Sequence, residues 1–291
     1  MQLPAKISPV QRSQHLQSKI SLEMPVGCLL YCIVHSSKIQ LLVTAIMRRD
    51  RSPTKLKTAP PGTPTTDPAN KTLFLGRDGL GAYIADPAAF PPSRVVYCNE
   101  NFVVINDLFP KSILHLLLLP RHPEKALLHP YDAFEDVDFL STVQEEVKKL
   151  RILAAKELKR RLSKYSEKER TREQALEEDA EEVPEGRDWV VEIESGIHAG
   201  PSMNHLHVHV MSRDMHSGCM RHRKHYNSFN TPFLVPVEDF PLADDDARRH
   251  PGREGYLDSD LKCWRCGTNF GNKFKRLKEH IDEEFEEWKR Q

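Results

Sequence analysis

Three histidines alternate with aliphatic residues in the stretch from His205 to Met211. In a β-strand, alternate side chains share one face, so this pattern predicts three imidazoles on one face and Leu206, Val208 and Val210 facing a core. An imidazole at neutral pH can act as a nucleophile, exchange a proton or bind a metal. Taken alone, the stretch leaves three interpretations open: a reactive site, a three-histidine metal site, or a polar stripe that faces solvent.

Small and charged residues lie near this stretch. The segment from Gly196 to Asn204 contains glycine, serine and His198, and small residues let backbone N–H groups approach an anion closely. Upstream, the segment from Asp107 to His115 offers an acid for hydroxyl groups, the cation Lys111 for phosphate and a further histidine. This combination of residues suits the binding of a nucleotide phosphate. Neither a metal site nor a polar stripe would explain it.

The stretch from His205 to Met211 matches the signature of the histidine-triad superfamily of nucleotide hydrolases and transferases, in which histidine alternates with apolar residues. The segments Phe109 to Lys111, His198 to Asn204 and His225 to Phe229 resemble the aprataxin branch in particular. The resemblance extends from about Asp78 to Gln291, apart from an acidic insert. It implies an α+β fold, with an antiparallel histidine-triad sheet and helices, and a small C-terminal zinc-finger unit.

The resemblance also implies catalytic roles for four histidines. His207 is expected to attack the phosphorus of an adenylate and form a covalent AMP-histidine intermediate that water later cleaves. A neutral imidazole can do this when its other nitrogen is held as a donor, for which a backbone carbonyl is expected. His205 and His209 are expected to stabilise charge on the phosphate oxygens, and His198 to act as general acid towards the leaving group.

Further residues are expected to bind the substrate. By the same resemblance, Asp107 accepts the ribose hydroxyls. The other implied substrate contacts are Lys111, Ser202, Met203, Lys224 and His225. His115 takes the position of the upstream family histidine, and a core-packing imidazole is the alternative.

A second constellation lies near the C-terminus. Cys263 and Cys266 form a C-x-x-C pair, His280 follows fourteen residues later, and Glu284 lies four residues further on. Positions four apart share one face of a helix, so both side chains can reach one ion, and tetrahedral structural zinc is expected. The alternatives are two ordinary thiols or a redox pair, and the latter lacks a thioredoxin-like context.

The function that the resemblance implies is hydrolysis of 5′-adenylated DNA left by abortive ligation, which releases AMP and restores a 5′-phosphate. Removal of 3′-linked GMP caps is a related expectation. Basic clusters at 221–225 and 273–278 are expected to contact DNA phosphates. We further expect a nuclear monomer whose chemical step needs no metal. The alternatives are a general nucleoside phosphoramidate or dinucleoside polyphosphate hydrolase, and a non-catalytic zinc-dependent nucleic-acid-binding module.

A sheet and a long helix are predicted to position these groups. Runs of β-branched and aromatic residues at 95–97 and 102–105 indicate a hairpin, and the apolar run at 113–119 indicates a central strand. Apolar residues then recur at steps of three and four from Phe139 to Leu162, which predicts a helix. Further strands are predicted to begin at Trp189 and at Asn204.

Composition divides the chain into four predicted regions. These are a disordered basic segment at 1–70, a catalytic domain at 71–231 with an acidic insert at about 166–187, a linker at 232–260 and a zinc-finger unit at 261–291. The 291 residues carry 42 Lys+Arg and 42 Asp+Glu. Residues 1–70 hold nine basic side chains against three acidic, whereas 173–185 hold seven acids and no base. The zero net charge is therefore a cancellation between regions.

The remaining composition excludes two classes of protein. Six cysteines are few for this length, so no disulfide framework is expected and the compartment is predicted to be reducing. No apolar run reaches the roughly 18 residues that a membrane span requires. We therefore expect no membrane partner.

Overall fold

The structure, a computed structural model, describes residues 76–291, so the segment predicted to be disordered at 1–70 lies outside the described residues. Six strands form one antiparallel sheet in the order β1-β2-β3-β5-β4-β6. Their bounds are β1 Val95–Cys98, β2 Phe102–Asn106, β3 His115–Pro120, β4 Ile193–His198, β5 Val208–Ser212 and β6 Leu234–Pro236. Two short strands, β7 Leu261–Lys262 and β8 Asn269–Gly271, pair separately.

Seven α-helices surround these strands within the described range. They are α1 Gly81–Ala85, α2 Pro130–Ala133, α3 Val137–Leu162, α4 Glu167–Glu177, α5 Arg223–Asn227, α6 Pro251–Glu254 and α7 Phe274–Trp288. The predicted long helix is α3, whose first turn is capped because the Asp136 carboxylate accepts the Phe139 N–H at 3.1 Å. Its apolar stripe packs against β4 and β5. None of the helices in the described part of the chain is both long and apolar enough to cross a bilayer.

The two faces of the sheet serve different purposes. Leu116 and Leu118 of β3, with Val208 and Val210 of β5, belong to the core beneath α3. The alternate residues of β3 pack on the opposite face with Leu80 and Tyr83 around α1. Because β5 pairs His209 with Leu117, the histidine lies on the α1 face, where a cavity opens.

Two predicted strands begin later than expected. Residues 189–192 form a turn in which the Asp188 carboxylate accepts the Val190 N–H at 2.9 Å, so β4 begins at Ile193. Likewise, β5 begins at Val208, which is the first residue of that strand to pair with β3. The second difference matters for the histidines, because His205 and His207 precede the strand.

The C-terminal elements share buried contacts with the catalytic sheet. Leu261, Leu277 and Ile281 pack in one cluster with Met211 and Tyr226. At the other end of α7, Trp288 is 2% exposed and belongs to the core beneath α3. The finger therefore packs against the sheet through its apolar side chains. The domain boundaries given above remain a prediction.

Candidate active site

A cavity of about 500 Å³ opens on the α1 face of the sheet. His198, at the end of β4, and His207 and His209, around the start of β5, all line this cavity, so three imidazoles meet in one space. Of the other predicted substrate contacts, those that line the cavity are Asp107, Lys111, Ser202, Met203, Lys224 and His225. The cavity therefore collects nearly all of the residues predicted from the sequence, and His115 and His205 are the exceptions.

His207 is held in one tautomer by the backbone. Its Nδ1 lies 2.8 Å from the carbonyl oxygen of His205, which can only accept a hydrogen bond, so Nδ1 carries the proton. The lone pair is then on Nε2. Burial lowers the pKa of this imidazole, which is 5% exposed, and keeps it neutral. His207 therefore has the free nitrogen that a nucleophile requires.

His209 is oriented through His115 behind it. The backbone N–H of Lys111 donates to His115 Nδ1 at 3.1 Å, so His115 carries its proton on Nε2. That nitrogen lies 2.9 Å from His209 Nδ1, which must accept the hydrogen bond. The N–H of neutral His209 is therefore on Nε2. No described residue accepts a hydrogen bond from His209 Nε2. His209 therefore presents a buried donor that an anion could accept.

His115 is a core side chain and also the middle member of a relay of two hydrogen bonds, from the Lys111 N–H to His115 and from His115 to His209. It is 3% exposed, and burial lowers its pKa to about 4, although the Asp107 carboxylate 3.4 Å away opposes that shift. The ring is therefore neutral, as the tautomer assignment requires. The two interpretations that the sequence left open for His115 are thus compatible.

His198 ends β4 and lies against the same cluster. Its ring centroid is 4.4 Å from that of His209 and 4.6 Å from that of Phe229. Burial is the main cause that holds the pKa of His198 well below its ordinary range, and the neighbouring His207 adds to it. No described residue bonds to its Nε2. A bound phosphate would accept a hydrogen bond from His209 Nε2, and its negative charge would raise the pKa of both His198 and His209.

The predicted face of three imidazoles is wrong for His205. Because β5 begins only at Val208, the alternation of a strand does not extend back to residue 205. His205 lies on a separate groove of about 440 Å³, lined also by Arg77, Asp78 and His129. Its side chain does not line the cavity that holds His207 and His209.

One wall of the cavity is apolar and was not predicted. Leu80, Tyr83, Ile105 and Leu117 line it, and they are 8%, 4%, 2% and 5% exposed. A flat nucleobase suits such a surface because apolar side chains exclude water while polar groups fix orientation. The three-residue spacing of Leu80 and Tyr83 is a local signal of a helical face, but nothing near them indicates that they face the histidines.

The four predicted zinc ligands converge. Single donor atoms of Cys263, Cys266, His280 and Glu284 all lie within 4.8 Å of one another. His280 Nε2 is 3.2 Å from Cys266 Sγ and 3.1 Å from Glu284 Oε1. Arg265 donates to the other oxygen of Glu284, and such an outer contact fixes the orientation of a ligand. The set fits a tetrahedral zinc ion.

The two basic clusters are only partly free. Arg223 pairs with Asp258 at 2.9 Å, and Lys278 donates to the Ser217 carbonyl at 3.0 Å. Lys273 and Arg276 instead line an open groove of about 390 Å³ on the finger. These two cations are therefore the stronger candidates for phosphate contacts on the finger.

An antiparallel sheet that brings histidines from two neighbouring strands to one nucleotide-sized cavity defines the histidine-triad class of nucleotide hydrolases and transferases. Residues 84–225 match the family model described as "Scavenger mRNA decapping enzyme C-term binding". Residues 230–287 match the "C2HE / C2H2 / C2HC zinc-binding finger". The second match begins before the predicted linker and includes it.

Relatives and solved structures narrow this class. The chain is 35% identical to an aprataxin-like protein of Schizosaccharomyces pombe, over 73% of this chain and 82% of the relative. It is 34% identical to one of Saccharomyces cerevisiae, over 72% and 95%. The crystal structure of the aprataxin ortholog Hnt3 in complex with DNA superposes with a TM-score of 0.58 at 32% identity, covering 73% of this chain and 96% of that chain. The chain belongs to the aprataxin-like family.

Proposed function

We propose that the protein is a DNA-end repair hydrolase that removes AMP from 5′-adenylated DNA and restores the 5′-phosphate. The observation that carries this proposal is the fixed tautomer of His207, which leaves a lone pair on Nε2. The same side chain lines a cavity of about 500 Å³, which is wide enough for a nucleotide. The apolar wall suits adenine, and Asp107 lies where a carboxylate can accept ribose hydroxyls. Family membership supports the adenylate as substrate.

The reaction proceeds in two displacements. In the first, His207 Nε2 bonds to the adenylate phosphorus, the bond to the bridging oxygen breaks, and DNA leaves with its 5′-phosphate. In the second, a water oxygen bonds to phosphorus, the N–P bond breaks and AMP leaves. His198 donates a proton to the leaving oxygen and recovers one from the water. His209 and Lys111 donate to the non-bridging oxygens.

The low pKa values of the buried histidines support these roles for His207, His198 and His209. Without substrate, burial keeps His198 and His209 neutral. A phosphate anion beside them favours the protonated form, so His198 becomes a competent acid only when substrate is bound. His207 keeps its backbone partner throughout and returns to the same tautomer after each turnover.

DNA is the proposed macromolecular partner, and AMP the product. Hnt3 has been solved in complex with DNA and also with DNA and guanosine, which supports DNA binding and supports 3′-linked GMP as a further substrate of this chain. Lys273 and Arg276 supply the phosphate contacts. Zinc is structural, at Cys263, Cys266, His280 and Glu284, and the chemical step uses no metal. We place the protein in the nucleus, as a monomer.

Two substrates and two variants test the chemical step of the proposal. AMP release is measured from an adenylated nicked duplex and from a small AMP-amide. His207→Ala is expected to abolish release from both, whereas His122→Ala, which removes an exposed imidazole, should match the wild type. If His207→Ala released AMP at the wild-type rate, the nucleophile assignment would be wrong.

The finger cations separate DNA repair from general hydrolysis. Arg276→Ala is expected to raise KM for the duplex and leave the AMP-amide unaffected, because only the duplex reaches the finger. Lys156→Ala on the opposite face of the sheet is the matched control. Equal activity on both substrates in every variant would support a general phosphoramidate hydrolase, and no activity on either would support a non-catalytic binding module.

A further inference from the structure

His205 makes a contact that its place in the triad does not explain. A Cβ built on Gly81 would lie 2.7 Å from both Cε1 and Nε2 of His205. That is well inside any real contact distance, so the imidazole packs directly on the backbone at the start of α1. Gly81 has an ordinary helical backbone, in which alanine is normally favoured. Its lack of a side chain is explained by the ring beside it.

Neighbouring contacts join the same two segments. The Asn204 N–H donates to the Arg77 carbonyl at 2.9 Å, and the Asn204 amide donates to Asp78 Oδ1 at 2.7 Å. Met203 packs against the cluster that contains Leu80 and Tyr83. The loop before β5 therefore holds residues 76–85 by backbone, side-chain and apolar contacts together.

Residues 76–85 in turn build part of the catalytic cavity. Leu80 and Tyr83 form its apolar wall, and Gly76 and Gly79 also line it. The carbonyl of His205 is the group that fixes the tautomer of His207. His205 thus contacts His207 through its backbone carbonyl, and its side chain contacts the segment that carries Leu80 and Tyr83 of the apolar wall.

We propose that the His205 side chain is a positioning residue that seats residues 76–85, and so sets affinity for the nucleoside half of the substrate instead of stabilising the phosphate. This inference rests on the proposed function for the identity of the substrate. Without the ring, the segment that carries Leu80 and Tyr83 loses its contact at Gly81, whereas His207, His198 and His209 keep their contacts. His205→Ala should therefore raise KM for an AMP-amide roughly tenfold, equivalent to about 1.4 kcal/mol, with kcat within about twofold.

A double-mutant cycle with Gly81 tests the contact itself. Gly81→Ala alone forces the ring and the helix apart and should also raise KM roughly tenfold. In the His205→Ala background the added methyl has space, so Gly81→Ala should change KM by less than about twofold. Gly252→Ala is the control, because Gly252 is another helical glycine and a Cβ placed there would meet no atom within 4 Å. Additive effects of the two substitutions would overturn the proposal.

A substrate without a base separates positioning from a general loss of structure. The ribose 5-phosphoramidate, which lacks adenine, should lose no more than about twofold in kcat/KM with His205→Ala, whereas the AMP-amide loses roughly tenfold. An equal loss on both, or a fall in kcat at unchanged KM, would assign His205 to the phosphate or to the fold. The same cycle is repeated on the affinity for AMP by calorimetry. If the wild type hydrolysed neither substrate, the proposed function would fail, and the AMP affinities would still decide the role of His205.

Discussion

Replacing Asp214 with asparagine is predicted to stabilise the protein increasingly as pH rises. Asp214 follows β5 and is fully buried. Its carboxylate accepts the backbone N–H groups of Ile113 at 3.1 Å and His216 at 2.9 Å, and the hydroxyl of Ser212. These bonds favour the ionised form, yet burial outweighs them and raises the pKa of Asp214 to about 7. The carboxylate lies beside the chain that leads into β3, where His115 begins the relay to His209.

The size and sign of the effect follow from the difference between the folded and unfolded states. The unfolded carboxyl titrates near 3.8 and the folded one near 7, so ionised Asp214 costs about 4 kcal/mol well above pH 7. Between these values the folded protein keeps a proton that the unfolded chain releases, so stability falls as pH rises. Over pH 5 to 8 the loss is about 2 to 3 kcal/mol. Asparagine cannot ionise, and its amide can accept from Ile113 and donate to Ser212.

Urea unfolding of the wild type and Asp214→Asn at pH 5, 6, 7 and 8 measures this directly. The buried histidines make the free energy of unfolding rise with pH over the same range. The pH dependence of either protein alone therefore mixes the two effects. The histidines are common to both proteins, and the difference between the two free energies of unfolding isolates residue 214. We expect that difference to move by about 2 to 3 kcal/mol in favour of the variant from pH 5 to 8. A constant difference would refute the reasoning, and Asp245→Asn, at an exposed carboxylate, is the control.

Three other outcomes are expected. Trp288→Ala should lower the free energy of unfolding, measured in urea, by about 3 to 5 kcal/mol. Trp288 is buried, and its ring lies 4.7 Å from the Arg187 guanidinium. A decrease below about 1 kcal/mol would contradict a core shared by the finger and the sheet. Glu284→Ala should weaken zinc binding in competition with a chromophoric chelator, while the exposed Glu283→Ala should not, and equal affinities would exclude Glu284 as a ligand. The contribution of His115 to the free energy of unfolding, taken as the difference between the wild type and His115→Gln, should fall by about 3 kcal/mol as pH drops from 6.5 to 4. The folded ring has a pKa of about 4, so over this range the unfolded ring takes up most of the proton. A difference that does not change with pH would contradict this.

Periodicity predicted most of the fold that positions the site. Alternation and apolar runs located the hairpin of β1 and β2, the central strand β3 and the long helix α3, because each pattern reports local burial. The tautomer of His207 also followed from chemistry, since a nucleophilic imidazole needs a donor on its other nitrogen. The convergence of Cys263, Cys266, His280 and Glu284 was predictable because a C-x-x-C pair and a helical step of four are local constraints.

Other features depend on contacts that sequence spacing does not encode. The pairing of Leu118 with Val208 decides where β5 begins, and that choice removes His205 from the histidine face. Two residues of the apolar wall, Leu80 and Tyr83, lie more than 100 positions from His207 in the sequence. Similarly, the Arg187 guanidinium donates to the Trp288 carbonyl at 2.7 Å across 101 positions, which joins the end of the acidic insert to the end of the finger helix.

The neutral histidine cluster also explains how a buried site can remain stable yet reactive. Four imidazoles within one core would repel one another if charged, and burial already disfavours a charge on each of them. Hydrogen bonds to a carbonyl and to a backbone N–H instead assign the tautomers of His207 and His115. In the proposed mechanism, the N–H of His209 is therefore in place before substrate arrives, and the charge that would make His198 an acid would appear only with the anion that stabilises it.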